Sequence, residues 1–152
     1  MILIDANLLL YAYHPKAEQH ARSRKWLEQT LSGPDLVRFA WLTLWAFLRI
    51  STNPRVFEHP LSTAEAEAAV SSWLMRPNAG LLEPGERYWD ILRGLMRESQ
   101  ATGPLVMDAA IAALALEHGA ILHTSDRDFA RFPGLKWSNP IGQTPGSIGT
   151  SC

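Results

Sequence analysis

Apolar and polar positions alternate along this chain in the order expected of strands and helices that follow one another. Short apolar runs predict buried strands at residues 1–4, 36–40, 80–83 and 120–123. Between these runs, apolar residues recur at helical spacing and predict helices at residues 8–13, 17–31, 41–52, 62–75, 86–100 and 107–118. Strands that alternate with helices indicate an α/β domain with a mainly parallel sheet.

Three apolar runs each lead directly into an aspartate. The runs are residues 1–4, 105–107 and 120–125, and the acids that follow them are Asp5, Asp108 and Asp126, with Asp128 two residues further on. In an open parallel sheet, side chains that follow the strands gather at the rim where ligands bind. Carboxylates at one rim repel each other unless a cation neutralises them. The pattern therefore predicts a Mg²⁺ or Mn²⁺ site and metal-assisted phosphoryl chemistry.

Each of these acids also has an ordinary structural explanation. Asp5 and Asp108 could cap the helices that begin near them, because aspartate is a favoured N-cap residue. Asp126 and Asp128 could be turn residues, since Ser-Asp-Arg-Asp is typical of turns. Three acids at the ends of three separate apolar runs are harder to explain as caps together, so the metal hypothesis is preferred.

The composition indicates one domain in a reducing compartment. The 152 residues contain no apolar run of membrane-spanning length, and the apolar start lacks the basic leader of a signal peptide. The only cysteine is Cys152, so an internal disulfide is excluded and the cytoplasm is the expected location. Residues 1–140 form the predicted domain, and residues 141–152, rich in Gly, Ser, Thr and Pro, are predicted to be a disordered tail.

The charge balance weakens the case for a protein that binds nucleic acid without specificity, but it does not exclude contact with nucleic acid. Fourteen basic and fifteen acidic residues give a formal net charge of −1. Contact with nucleic acid would therefore depend on individual arginines and on a bound metal. The five histidines show no ligand spacing, which disfavours a zinc site.

Several motifs resemble those of one nuclease family. Ile4-Asp5-Ala6-Asn7 is similar to the first motif of PIN-domain nucleases, and residues 108–115 and 122–129 are similar to the third and fourth motifs. Residues 47–49, 52–57 and 132–135 are typical of the VapC toxins within that family. The resemblance covers about residues 1–140 in the expected order.

The resemblance implies a PIN-like three-layer α/β/α domain and a definite activity. VapC proteins are Mg²⁺/Mn²⁺-dependent endoribonucleases that cut tRNA or rRNA to arrest translation, are neutralised by a VapB antitoxin, and are usually homodimers. By motif position, the implied catalytic residues are Asp5, Asp108 and Asp126, and the implied metal ligands are these three together with Asp128. Asn7, Thr124 and Ser125 would orient the carboxylates and water.

One position departs from the family pattern. PIN nucleases usually carry a glutamate just before the Phe-Leu-Arg segment, and here that position is Ala46. Helical spacing places Ala46 on one face with Leu42 and Arg49, so the face expected to meet the metal offers an arginine and no carboxylate. Either the aspartates suffice for a nuclease, or the protein is a catalytically weakened module that binds RNA or protein.

A third class of function is an aspartate-based phosphohydrolase that uses the acid after the first strand. That chemistry normally needs a second acid two residues later, where this chain has Asn7. Arg49 and Arg55 are candidate RNA contacts, with a solvated or ion-paired side chain as the alternative for each.

The aromatic residues divide into two predicted groups. Those in amphipathic helices are expected to pack in the core, namely Trp26, Trp73 and Trp89. Those that flank the site in sequence are expected near an antitoxin or dimer surface, namely Tyr11, Tyr13, Trp41 and Trp45.

Overall fold

The computed structural model describes residues 1–142 and 148–150, and these residues form a sheet covered by helices on both faces. The strands are β1 (Ile2–Ile4), β2 (Val37–Ala40), β3 (Ala79–Leu82), β4 (Ile121–His123), β5 (Lys136–Ser138) and β6 (Ile148–Thr150). The helices are α1 (Ala6–Ala12), α2 (His20–Leu31), α3 (Trp41–Ser51), α4 (Thr63–Leu74), α5 (Tyr88–Ser99) and α6 (Leu105–His118), with a 3-10 helix at Arg127–Arg131.

The described strands form one sheet in the order β3-β2-β1-β4-β5-β6. The first five are parallel, and β6 is antiparallel to β5. The chain adds strands on one side of β1 and then returns to add β4 on the other, so the order changes direction between β1 and β4. In such sheets the crevice beyond the carboxyl ends of these two strands is the usual ligand site.

Alternate residues of β1 face two separate halves of the core. Ile2 and Ile4 pack with residues of α1 to α4, such as Phe47 and Trp73, on one face of the sheet. Leu3 packs on the other face with the inner side of α6 and with Phe129. All three β1 residues are buried, as expected for the central strand of a sheet covered on both sides. The predicted three-layer α/β/α architecture with a mainly parallel sheet is confirmed.

Local signals placed several helix ends correctly. The Ser62–Glu65 capping box is formed, since each side chain accepts a hydrogen bond from the other residue's backbone N–H. Gly119 ends α6 in the left-handed conformation with a φ of 65°. α6 begins at Leu105, two residues before the predicted start, because Pro104 has a φ of −60° that suits the first turn of a helix.

Three local expectations differ from the structure. β5 was not predicted, because three residues near the edge of a sheet carry too little alternation to be recognised. Trp89 was expected in the core but is 62% exposed, because it lies beside the packed stripe of α5 that contains Tyr88 and Leu92. Tyr13 was expected near a partner surface, yet it packs against Phe47 and accepts a hydrogen bond from Trp73 Nε1.

The predicted tail begins inside the described part of the chain. Ile141 is buried in the core, and residues 148–150 form the β6 pairing with β5. Residues 143–147 and 151–152 lie outside the described residues, so the tail stays a prediction for them.

None of the described helices combines the length and the apolar character needed to cross a lipid bilayer.

Candidate functional site

Asp5 lies at the carboxyl end of the central strand. It follows β1 directly and is the N-cap of α1, where its Oδ1 accepts a hydrogen bond from the Ala6 N–H at 2.8 Å. Its own backbone N–H donates to the His123 carbonyl of β4 at 3.0 Å. Because Ile4 pairs with His123, the residues that follow β1 and β4 come side by side. The cap explanation is therefore correct for one oxygen of Asp5, and the other oxygen faces the end of β4.

The hydroxyl of Thr124 joins the ends of the two strands. Its Oγ1 donates to Asp5 Oδ2 at 2.8 Å and accepts from the Asn7 side-chain amide at 3.3 Å and from the Asp126 N–H at 3.0 Å. Thr124 is fully buried. The Ser125 N–H lies 3.5 Å from Asn7 Oδ1, so Ser125 contributes its backbone to this network. The structure thus brings together Asn7, Thr124 and Ser125 beside Asp5.

Asp126 and Asp128 lie just beyond this network. Asp126 is the N-cap of the 3-10 helix, and its Oδ1 accepts from the Asp128 N–H at 2.8 Å. Asp128 is exposed, and its Oδ1 lies 4.0 Å from Arg131 Nη2. The turn explanation is thus correct for one oxygen of Asp126, while the carboxylates still lie at the same end of the sheet as Asp5.

Asp108 approaches the same place from α6. The N-cap of this helix is Pro104, and Asp108 lies in the first turn, so it does not cap the helix. Its half-buried side chain lines a cavity together with Asp5. The expectation that Asp108 could be a simple cap is therefore wrong.

The four carboxylates act on one another electrostatically. The pKa of Asp108 is raised from 3.8 to about 6, mainly by burial and then by the negative charges of Asp126, Asp5 and Asp128, while Arg131 opposes the shift. The pKa of Asp5 is also raised, mainly by burial and to a smaller extent by Asp126, against the hydrogen bonds from Thr124 and Ala6. Asp126, Asp5 and Asp128 are therefore close enough to Asp108 in space to disfavour its ionised form.

A cavity of about 480 Å³ opens beside Asp5 and Asp108. We call it the acidic cavity, and its walls also include Ala46 and Arg49 of α3. The expected face of α3 thus meets the site, with a methyl group where a carboxylate was expected. Arg49 is exposed and forms no ion pair with any described residue. Arg55 is exposed and does not line this cavity.

The donor atoms suit a hard divalent cation. Across residues 1–142 and 148–150, no three His, Cys, Asp or Glu side chains are close enough to ligate one ion together. Mg²⁺ is usually bound through one or two carboxylates, with water and substrate phosphate as its other ligands. Asp5 and Asp108 offer this set at one cavity. Burial and, to a smaller extent, neighbouring carboxylates raise the pKa of both side chains, and a bound cation would favour their ionised forms.

Histidine plays no comparable part in the site. His123 is the histidine nearest in sequence to the acids, and burial lowers its pKa to about 4. Its ring stacks on Trp26 with the ring centroids 5.6 Å apart. It is therefore neutral, with its ring packed against Trp26.

Two residues that line the acidic cavity were not recognised from the sequence as part of the site. Met107 precedes Asp108 and is 49% exposed, and Trp45 precedes Ala46 and is 60% exposed. Exposed apolar side chains carry no motif, so only their place in the cavity identifies them. The sequence does carry one signal for Trp45. It lies four residues after Trp41, so the two indoles share one face of the predicted helix.

Comparison with known proteins gives a consistent set of matches. The PIN domain family model matches residues 2–135. Ribonuclease VapC33 of Mycobacterium tuberculosis is 43% identical over 141 residues, which cover 93% of this chain and 99% of that protein.

Two solved structures share the fold at low sequence identity. VapBC2 from Rickettsia felis, bound to a DNA fragment from its promoter, has a TM-score of 0.66 at 18% identity, covering 91% of this chain and 98% of that one. VapC20 of Mycobacterium tuberculosis, described as a Sarcin-Ricin loop cleaving toxin, has a TM-score of 0.61 at 17% identity, covering 86% and 93%. At these identities the likeness is one of fold.

Replacing Asp108 by asparagine should stabilise the protein in metal-free buffer. Because the pKa of Asp108 is about 6 in the folded protein and 3.8 ordinarily, the folded state binds a proton more tightly than the unfolded chain. The free energy of unfolding therefore falls as the pH rises from about 4 to about 6, and the ionised side chain remains destabilising at pH 7. Allowing for solvent screening at this half-buried group, Asp108→Asn should raise the free energy of unfolding at pH 7 by about 1 kcal/mol.

Urea unfolding with EDTA at several pH values between 4 and 7 measures this effect. Glu67→Gln is the control, because it removes an exposed carboxylate of α4 and should leave the pH profile unchanged. Destabilisation by Asp108→Asn at pH 7 would contradict the prediction and show that the carboxylate makes a stabilising contact.

Replacing Thr124 by valine should destabilise the fold although the side chain keeps its shape. The change leaves the buried Asp5 carboxylate without its 2.8 Å donor and the Asp126 N–H without its acceptor. Unsatisfied buried groups of this kind cost about 2–3 kcal/mol.

Thr43→Val is the matched control for this change. The hydroxyl of Thr43 is buried without a hydrogen-bond partner in the described structure, so its removal should cost nothing or stabilise slightly. Equal losses of unfolding free energy in the two variants would rule out a special role for the Thr124 hydroxyl.

Proposed function

The chain belongs to the PIN-domain family and, within it, to the VapC group of toxin–antitoxin systems, and we propose that it is a metal-dependent endoribonuclease toxin. One observation carries the proposal. Four aspartates gather at the carboxyl ends of β1 and β4 beside a cavity of about 480 Å³, where burial and then the charges of Asp126, Asp5 and Asp128 raise the pKa of Asp108 to about 6. Concentrated carboxylate charge beside an open cavity is suited to a metal ion that binds a phosphodiester.

The proposed ion is Mg²⁺ or Mn²⁺, held by Asp5 and Asp108 at the acidic cavity. Asp126 and Asp128 supply negative charge beside it and would become ligands only if the bound ion drew them closer. When bound, such an ion lowers the pKa of a water and offsets negative charge on the reacting phosphate. Above its pKa of about 6, Asp108 is ionised and able to act as a ligand, so neutral pH favours loading of the site.

The protein's own contribution is orientation. Thr124 donates to Asp5 Oδ2 and so fixes the plane of that carboxylate, while Asn7 and the Ser125 N–H hold Thr124 and the loop after β4 in place. Arg49 supplies a positive charge to the acidic cavity, where it can contact the phosphate of the substrate. Water is partly excluded at Asp5, which is 8% exposed.

The relatives support a target and a partner. The structural neighbour VapC20 is described as cleaving the Sarcin-Ricin loop, and the Rickettsia felis protein was solved as a VapBC complex. We propose tRNA or rRNA as the substrate, arrest of translation as the outcome, and a VapB-type antitoxin as the neutralising partner. We also propose a homodimer, and this choice of target implies action in the cytoplasm.

A second candidate function rests on Ala46. This residue lines the acidic cavity where the family pattern has a glutamate, so α3 provides no carboxylate to the site. A site with one fewer charged ligand binds its cation more weakly. The alternative is therefore a PIN-like module that binds RNA or protein and cleaves slowly.

Cleavage of RNA separates these functions. Purified protein is incubated with end-labelled tRNA and rRNA fragments in Mn²⁺, in Mg²⁺ or in EDTA. We expect cleavage that requires the metal and that falls by more than about 100-fold in Asp108→Asn, because a ligand of the ion is lost. Glu67→Gln is the control and should cleave at the normal rate. Binding of RNA without cleavage of any fragment would support the weakened module, and cleavage in EDTA would contradict metal dependence.

Restoring a carboxylate at position 46 should tighten metal binding. Ala46 already lines the acidic cavity, so Ala46→Glu adds a charged oxygen ligand there and should lower the Kd for Mn²⁺ by about tenfold. Ala46→Gln is the control, because it adds nearly the same bulk without the charge. If calorimetry gives equal Mn²⁺ affinity for both variants, a carboxylate at position 46 does not reach the ion.

A further inference from the structure

Two tryptophans stand exposed on the first two turns of α3. Trp41 is 41% exposed and Trp45 is 60% exposed. Their rings stack with centroids 6.4 Å apart and an interplanar angle of 26°. Exposing this much aromatic surface to water costs free energy and does not help the chain to fold. Two adjacent exposed indoles therefore indicate a binding surface.

The two indoles form part of the wall of a second cavity, of about 320 Å³. We call it the tryptophan cavity. Its other walls are mostly apolar, such as Leu82 and the ring of Tyr88, and they include one charged residue, Glu83. The hydroxyl of Tyr88 is already used, since it donates to the Ala110 carbonyl at 2.8 Å. The cavity therefore offers mainly apolar and aromatic contact, and its volume lies within the range of roughly 300–1,000 Å³ that small-molecule sites occupy.

The tryptophan cavity adjoins the acidic cavity. Leu42, Trp45 and Ile111 line both. A group that stacks on Trp45 is therefore the immediate neighbour of a group held between Asp108 and Arg49. A nucleotide has this construction, because a flat base and a charged phosphate are joined through one sugar.

We propose that the tryptophan cavity binds one unpaired base of the RNA substrate, stacked on Trp45, next to the phosphate that is cleaved. The proposal rests on the proposed action on RNA. Stacking on an aromatic side chain accepts any base, because every base has a π-face. The cavity walls are mainly apolar, with Glu83 as the charged residue among them, and the Tyr88 hydroxyl is occupied, so this position selects for an unstacked base more strongly than for its identity.

A base scan tests the proposal independently of cleavage. Short unstructured oligoribonucleotides, each with one abasic nucleotide at a successive position, are titrated by fluorescence anisotropy against the full chain carrying Asp108→Asn in EDTA, which keeps the RNA intact. We expect one position at which loss of the base weakens binding by roughly 5- to 150-fold, whereas exchange of that base for another has little effect.

The same titration is repeated with variants of the exposed tryptophans. Trp45→Ala should weaken binding of the intact RNA by a similar factor and remove the sensitivity to that abasic position, since both changes delete the same contact. Trp45→Phe should restore the sensitivity. Trp89→Ala is the matched control, because Trp89 is 62% exposed on α5, lines neither cavity, and should change nothing. Thermal unfolding of each variant checks that it is folded.

The outcomes separate this proposal from the nuclease itself. The proposed base site is overturned if Trp45→Ala binds intact RNA as tightly as the Asp108→Asn chain without it, or if the Asp108→Asn chain binds none of the oligonucleotides. In either case, cleavage of tRNA or rRNA by the unsubstituted protein still tests the nuclease activity separately. If the abasic position and Trp45 prove coupled but the unsubstituted protein cleaves nothing, the base site stands and the nuclease fails. If Trp45→Ala instead loses only a co-purifying protein, the surface belongs to a protein partner and the base site is overturned.

Discussion

Four carboxylates are held at one end of the sheet against their mutual repulsion, and the site depends on how the fold offsets it. The largest local compensation is the Thr124 hydroxyl, which donates to Asp5 while accepting from Asn7 and from the Asp126 N–H. A neutral donor of this kind stabilises the ionised carboxylate without filling the cavity with a fixed positive charge. Burial and then the charges of the other three aspartates still raise the pKa of Asp108, so a cation bound beside it would favour its ionised form.

Helix α3 connects the core, the acidic cavity and the exposed aromatic surface. Its inner face buries Leu44 and Phe47 in the core below the sheet. A second face turns Ala46 and Arg49 toward the acids, and the exposed indole of Trp45 stands between the two cavities. Because a helix turns by about 100° per residue, neighbouring residues of α3 can face the core, the acidic cavity and the exposed surface. A shift of α3 would therefore change both the metal environment and the proposed base site.

The replacement of a glutamate by Ala46 has a consequence for charge in the cavity. With no carboxylate from α3, Arg49 has no ion-pair partner among the described residues and is available to an incoming phosphate. A chain with a net charge of −1 lacks a general attraction for RNA, so a single unpaired cation near the acids matters more than it would on a basic surface. The same change thus weakens the proposed metal site and strengthens the proposed phosphate contact.

The sequence alone predicts the order of strands and helices, the Ser62–Glu65 cap and the aspartates that end three apolar runs, because periodicity, capping and turn chemistry are local. The sequence also contains the family motifs, and the resemblance that they show implies the three-layer α/β/α architecture. Which groups meet depends on the folded chain: Thr124 and Asp5 are 119 residues apart in the chain, and Thr124 Oγ1 lies 2.8 Å from Asp5 Oδ2. The packing of the folded chain also explains why Asp108 does not cap its helix, why Trp89 is exposed and why Trp45 lines two cavities. Those properties depend on how helices pack on the sheet, and burial and charge at a site arise from long-range contacts that no local pattern contains.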